Sequence, residues 1–304
     1  MYDQYNRKIE YMRISITDRC NLNCTYCKGF DALTHNDILR YEEILDICKV
    51  AVQLGIGYFK ITGGEPCARK GYLSFIESLK KMDGVHEVTI TTNASLLKKE
   101  DMDTLKRIGI DGINVSLDTL DKECYKEITG KDCIDLVVHN ILYMKSIGLH
   151  VKINSVLLDE TRDEEFLNLI DFGNLHSIPI RFIERMPMKD DKVSHRTKKD
   201  ILSLLDNVEI DKNKYGNGPA SYYQTNRGTV GFIEPVHGKF CDQCNRIRLT
   251  STGYLKACLF HKDGMNVRNR TNLEDMMKEI IYNKPQGHDF EKDMAGISMS
   301  KIGG

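Results

Sequence analysis

The chain has 304 residues, 41% hydrophobic and 29% charged, enough to bury a barrel-sized core plus an appendage, which excludes a disordered or fibrous chain. Its formal net charge of -1 excludes a general polyanion-binding surface such as a nucleic-acid groove, so any anion site must come from local placement of basic side chains. The first residues are polar and no apolar run approaches membrane-spanning length, so the sequence predicts a cytoplasmic protein with neither signal peptide nor transmembrane helix, whose ten cysteines are metal ligands and spectators and not a disulfide framework.

In chain order, β-rich runs alternate with amphipathic stretches. Strands are expected at Tyr11 to Thr17, Tyr58 to Gly64, Glu87 to Asn93, Gly112 to Asp118, His150 to Leu158 and Pro179 to Met186. Helices are expected between them, at about Tyr41 to Leu54, Gly71 to Met82, Lys98 to Ile108, Ile134 to Ile147 and Glu164 to Leu175, and after the last strand at Lys198 to Leu205, each with apolar residues three and four apart. The alternation predicts parallel βα units, too few for a closed eightfold barrel. Asp206 to Gly218, rich in Asn, Lys and Gly, reads as a linker. Beyond it, Tyr222 to Gln224 and Thr229 to Ile233 flank Asn226-Arg227-Gly228 as a hairpin.

The first strand closes on Cys20, Cys24 and Cys27, a Cys-x3-Cys-x2-Cys spacing. An all-thiolate site selects zinc, copper(I) or an iron-sulfur cluster. Three ligands leave a position open, whereas structural zinc wants four. A zinc knuckle completed by a distant His, or three unrelated thiols, are the alternatives. The strands add a clue, because parallel strands buried on both faces should be continuously apolar. Here period-two alternation puts Arg13, Ser15 and Thr17 on one face, as it does Lys60 and Thr62, Asn114, Ser116 and Asp118, and Lys152 and Asn154. Polar side chains facing a common lumen imply a polar ligand there. Thr62-Gly63-Gly64-Glu65-Pro66, at the end of the second strand, offers glycines for close backbone approach where barrel folds bind ligands.

The three cysteines followed by Gly63-Gly64-Glu65-Pro66 resemble the radical S-adenosylmethionine (SAM) superfamily. Phe240 to Thr250, with Cys241, Cys244, Arg246 and Arg248, then Gly253, Leu255, Cys258-Leu259 and a Gly303-Gly304 ending, resemble its GTP 3',8-cyclase family, which opens molybdenum cofactor biosynthesis. Arg13-Ile14-Ser15, Thr17-Asp18-Arg19, Asn114 to Asp118, Val151 to Asn154 and Arg181 to Glu184 extend the match along essentially the whole chain.

That resemblance implies an α/β fold, a partial (βα)6 TIM-like barrel over residues 1–206, with a smaller C-terminal α+β region over 207–304. Two 4Fe-4S clusters are implied, one on Cys20, Cys24 and Cys27 that ligates SAM, the other on Cys241, Cys244 and Cys258 beside the guanine. SAM would be lined by Tyr26, Gly64, Ser116 and Met186, and GTP by Arg13, Lys60, Thr91, Lys152, Arg246 and Arg248. A 5'-deoxyadenosyl radical would take hydrogen from the ribose 3' carbon, and the sugar radical would attack C8, giving (8S)-3',8-cyclo-7,8-dihydroguanosine 5'-triphosphate. Arg246 and Arg248 alternate across Ile247 and would share one face as triphosphate ligands. Gly303 and Gly304 would reach the active site and assist the radical step. Implied partners are GTP, a reductant such as flavodoxin or ferredoxin, and a downstream cyclic pyranopterin monophosphate synthase. No nucleic acid or membrane partner is expected, and a homodimer is left open.

The chain departs from the family pattern at Lys60, where Arg is common and the planar bidentate fork is lost, at Lys28-Gly29, at Cys67 and at Ala94, where Gly usually follows Thr-Thr-Asn. Cys48, Cys67, Cys124 and Cys133 read as spectators, Cys67 being nearest the site. His237 and His261 flank the second cysteine group, so a local four-ligand zinc site stays open there. A peptide-modifying radical SAM enzyme and a zinc-stabilised binding module are the competing functions. The paired arginines and the basic lumen favour a phosphorylated nucleotide.

Overall fold

A computed structural model describes residues 1–27, 34, 37–186, 195–213, 215–261 and 264–288. Six strands, β1 (Tyr11–Ser15), β2 (Tyr58–Thr62), β3 (Glu87–Thr92), β4 (Gly112–Ser116), β5 (Val151–Leu157) and β6 (Ile180–Glu184), lie side by side in chain order and parallel. Helices α1 (Tyr41–Gln53), α2 (Tyr72–Lys80), α3 (Lys99–Ile108), α5 (Ile134–Ser146) and α6 (Asp163–Leu175) form within a residue or two of the expected ranges. The cause is the apolar stripe. In α1, Ile44, Ile47, Cys48 and Ala51 recur at helical spacing, and all four are buried.

The strands present two faces. Met12, Ile14, Phe59, Ile61, Val88, Ile90, Ile113 and Val115 point toward the helices and are buried in one hydrophobic core. Each such side chain contributes about 1.5–3 kcal/mol by leaving water. The alternate residues point the other way. Tyr11, Lys60, Thr89, Asn114, Lys152 and Arg181, from six strands in succession, line a single cavity, which requires the sheet to curl into a partial barrel.

The C-terminal third supplies both edges of this sheet. After α7 (Lys198–Leu202) come β7 (Glu209–Asp211), β8 (Ser221–Thr225) and β9 (Gly228–Ile233). The expected hairpin is β8 and β9, joined through Asn226-Arg227, and β9 pairs parallel with β6. At the other edge β10 (Arg246–Leu249) pairs parallel with β1, and β11 (Tyr254–Lys256) and β12 (Met265–Asn266) follow antiparallel before α8 (Leu273–Tyr282). The order is β12-β11-β10-β1-β2-β3-β4-β5-β6-β9-β8-β7, one twelve-stranded sheet.

Two readings need correction. The linker at 206–218 contains β7, and Tyr215, Gly216, Asn217 and Gly218 line the barrel cavity. Its Asn, Gly and Lys content reflects tight turns over a cavity mouth, a composition that a solvated linker shares. The second is α4 (Lys122–Thr129), which the helical periodicity did not announce. Its start is nevertheless written locally, since the Asp121 carboxylate accepts from the Cys124 backbone N–H at 2.8 Å.

Candidate active site

The first cysteine group sits on the loop leaving β1, held from two sides. Gly64 N–H donates to the Thr17 carbonyl at 2.7 Å, and Glu65 N–H to that of Arg19 at 2.8 Å. A Cβ on Gly63 would stand 2.4 Å from the Thr17 carbonyl oxygen, and one on Gly64 2.5 Å from those of Asp18 and Arg19. Both positions therefore need glycine. On the other side, Asn23 and Thr25 N–H groups donate to the carbonyls of Thr129 and Ile128, each at 2.9 Å, at the C-terminal end of α4. The missed helix is thus a wall of the cysteine loop.

Glu65 is buried behind the loop. Its Oε1 accepts from Cys67 N–H at 3.0 Å and Thr92 Oγ1 at 2.7 Å, its Oε2 from Asn93 N–H at 2.7 Å. Burial raises its carboxyl above the ordinary range while these bonds pull it back. The Asn93 amide reaches the Cys20 sulfur at 3.9 Å. Burial pushes all three thiols up, Cys27 to about 11. A soft metal reverses that by binding the thiolate. The donor set, three half-buried thiols on one short loop, fits an iron-sulfur cluster with one iron open.

The predicted SAM-lining residues gather at the same end of the barrel. Tyr26 is in the cysteine loop, Gly64 and Met186 follow β2 and β6, and Ser116 ends β4. The Tyr26 hydroxyl donates to Asp118 at 2.8 Å, whose other oxygen accepts from Val156 N–H at 2.8 Å. Burial raises Asp118 to about 6 against those bonds.

In the lumen, register makes a rung of cations. Arg248 of β10 stands beside Arg13 of β1, Arg13 beside Lys60 of β2, and Lys60 beside Thr89 of β3. Thr91, Asn114 and Lys152 form the next rung on β3, β4 and β5. Burial lowers Arg13 and Arg248 from their ordinary range, with the charge of Arg246 adding to it in both, yet their guanidiniums keep the proton. Lys60 is held well below its ordinary range, by burial first and then by Arg181, Arg13, Arg246 and Lys152. The buried Nε atoms of Arg13, Arg181 and Arg246 and Oδ1 of Asn154 have no hydrogen-bond partner among the described residues. The three arginine Nε–H donors, on clustered positive charge, fit a polyanion.

Arg181 belongs to this set and was missed, although alternation within Arg181-Phe182-Ile183 puts it on the lumen face. Its guanidinium donates to Asn114 Oδ1, and the Asn114 amide donates to the Ile90 carbonyl at 3.2 Å. Lys152 donates to the Tyr215 carbonyl, which anchors the loop across the mouth at the N-terminal ends of the strands, and Asn217 donates to Glu87 there at 2.9 Å.

A second cavity joins Cys241, Cys244 and Cys258 to Arg246 and Arg248. Cys241 opens a single 3-10 turn that Cys244 follows, and Cys258 follows β11. Arg7 pins this corner by donating to the carbonyls of Cys241 at 2.8 Å, Pro285 at 2.7 Å and Gln286 at 3.0 Å, with its Nε on Asp3 at 2.6 Å. Lys284, 2% exposed, donates to the carbonyls of Arg246 and Ala257. Burial would raise the Cys244 thiol, but Lys284 and Arg246 outweigh it and bring it below the ordinary range. The two histidines of the zinc alternative are engaged elsewhere, His237 with Glu184 and His261 with the Gly287 carbonyl at 3.3 Å. Among the described residues no three His, Cys, Asp or Glu converge on one ion. A cluster puts each thiolate on a different iron, so it does not need that convergence. Gly303 and Gly304 lie outside the described residues.

Comparison with known proteins agrees in both halves. The Radical SAM superfamily model matches residues 14–173 and Molybdenum Cofactor Synthesis C matches 178–290. The chain is 37% identical over 324 residues to the GTP 3',8-cyclase of Clostridium perfringens and 39% over 328 residues to that of Thermodesulfovibrio yellowstonii, covering 100% of each chain in both cases. The solved structure of Streptococcus suis SuiB bound to S-adenosylmethionine shares the fold, with a TM-score of 0.66, 18% identity, and coverage of 92% of this chain and 67% of that one. The chain belongs to the radical SAM superfamily and, within it, to the GTP 3',8-cyclase family.

Proposed function

We propose that this chain is a radical SAM GTP 3',8-cyclase acting in the cytoplasm at the first step of molybdenum cofactor biosynthesis. The observation that carries the reading is a run of cations linking the two cavities, in which Arg246 and Arg248 line the cavity of the second cysteine group while Arg248 also stands beside Arg13, and Arg13 beside Lys60, in the lumen. A nucleotide can span that surface, its triphosphate on the cations and its base toward Cys241, Cys244 and Cys258.

In this reading Cys20, Cys24 and Cys27 hold one 4Fe-4S cluster and the C-terminal three hold another, with residues 1–206 as the core and 207–304 as the auxiliary region. When bound, the first cluster and SAM supply a 5'-deoxyadenosyl radical by one-electron reductive cleavage of the sulfonium. Everything else is the protein's work. Tyr26, Gly64, Ser116 and Met186 place SAM at the C-terminal ends of the strands. Arg13, Lys60, Thr91, Lys152, Arg246 and Arg248 hold GTP in the lumen, so that the ribose 3' carbon meets the radical where it forms. The Tyr215–Gly218 loop covers the opposite mouth and keeps water from a reactive centre. Gly303-Gly304 completes the site, a flavodoxin or ferredoxin delivers the electron, and a cyclic pyranopterin monophosphate synthase takes the product.

The test is anaerobic turnover of cluster-loaded protein with SAM, dithionite and GTP deuterated at the 3' carbon. Deuterated 5'-deoxyadenosine formed only with GTP is the expected result. Cleavage indifferent to GTP would move the doubt to the substrate, and no cleavage by iron-replete protein would end the radical reading.

A further inference from the structure

Among the cations of the lumen, only the lysines can change charge near neutrality, because a guanidinium does not release its proton in a protein. The two lysines differ in their partners. Lys152 donates to the Tyr215 carbonyl and has Glu87 nearby to raise it. Lys60 lies on the rung between Arg13 and Thr89, and among the described residues no carboxylate or carbonyl accepts from its ammonium.

The groups facing Lys60 are known from every side. Tyr11 and Arg13 come from β1, Glu87 and Thr89 from β3, Asp111 and Asn114 from the next unit, His150 and Lys152 from β5 and its entry, and Arg181 from β6. Tyr215 and Tyr222 close the mouth, while Arg246 and Arg248 approach from β10. Of the two carboxylates, Asp111 is paired with Lys80 at 2.7 Å and Glu87 accepts from Asn217 at 2.9 Å. The balance around Lys60 is cationic.

We propose that Lys60 is neutral in the free enzyme and takes up one proton from solvent when a nucleoside triphosphate enters the lumen, so that substrate affinity is coupled to pH. The triphosphate supplies the negative charge that the surrounding arginines otherwise deny to an ammonium. The inference rests on the lumen being the nucleotide site. The sign is fixed. Lys60 loses its proton at lower pH in the free enzyme than in the complex, so affinity is highest at low pH and falls as pH rises between those two points. The nucleotide's own terminal phosphate, ionising near pH 6, would release a proton on meeting cations, which is the opposite sign.

The experiment is calorimetric titration of GTP into anaerobic, cluster-loaded enzyme without SAM, in buffers of different ionisation enthalpy, from about pH 6.5 to about 9.5. We expect uptake of about one proton per GTP on the alkaline side, with affinity falling by up to about tenfold per pH unit. Lys60→Arg should bind GTP without that uptake and with a flat pH profile. Lys60→Met, which adds no bulk, should also lose the uptake, matching wild-type affinity at high pH and falling below it at low pH. GTP binding by wild type without proton uptake, or uptake retained in both variants, overturns the proposal while leaving the nucleotide site intact. Failure of the wild type to bind GTP at all overturns the site and this proposal with it.

Discussion

Glu65, 1% exposed, ties the end of β2 to the end of β3 through two hydrogen bonds, from Thr92 and Asn93, and accepts a third from Cys67 N–H. Gln in its place keeps the shape but turns an N–H toward donors on at least one side. Glu65→Gln should cost about 1–3 kcal/mol in denaturant unfolding and loosen iron at the first cysteine group, read as faster loss to a chelator. The cysteines themselves separate the two sites. Cys24→Ala should lower iron from about eight to about four atoms per chain and abolish SAM cleavage, whereas Cys244→Ala should lose similar iron yet still cleave SAM. Loss of cleavage in both variants would mean that the second group supports the first. Ala94 shows a departure explained by geometry, since it sits at φ 59°, where glycine is at ease and alanine costs about 1–2 kcal/mol. Its fully buried methyl returns about 0.8 kcal/mol, and the Asn140 amide, donating to its carbonyl at 2.9 Å, holds the turn.

At the scale of elements, the cysteine loop gains its shape from its neighbours. The carbonyls at the end of α4 accept from it on one side, and the Gly64-Glu65 segment donates to it on the other. Gly64→Ala brings a methyl carbon against two backbone carbonyls, so the strain cannot be relieved by turning a side chain. It should destabilise by about 1–3 kcal/mol and lower iron at the first group while leaving the second loaded, which iron analysis in a Cys244→Ala background reads for the first group and in a Cys24→Ala background for the second. An unchanged iron content would show that the loop has slack that the geometry denies.

The sheet decides how the whole molecule holds together. β9 covers the β6 edge and β10 the β1 edge, so the parallel block runs unbroken from β10 through β1 to β6 and β9. Residues 1–206 alone would expose two long edges of a curved sheet, each with unpaired backbone groups. Expressed alone, that fragment should aggregate or remain partly unfolded, as judged by sedimentation and near-ultraviolet circular dichroism, and a soluble, cooperatively unfolding monomer would refute this dependence. No helix among the described residues is long and apolar enough to cross a membrane.

The six parallel strands, their helices and the polar lumen face were legible in the sequence, because period two and period 3.6 are local properties of the chain. The spacings of Cys20, Cys24 and Cys27 and of Cys241 and Cys244 were legible for the same reason, lying a few residues apart, whereas Cys258, fourteen positions beyond Cys244, was joined to its group only by the family resemblance. Three things were not local. Arg181 became part of the lumen only when β6 was registered against β5, and the presumed linker became a cavity wall only when the barrel gave it a mouth to cover. The adjacency of Arg248 to Arg13, 235 positions apart in the numbering, came from a C-terminal strand returning to the first one. Sequence determines which side chains share a face, because that follows from backbone periodicity. Tertiary structure alone decides which faces meet, because strand order is settled by burying apolar edges and pairing backbone groups across the whole chain.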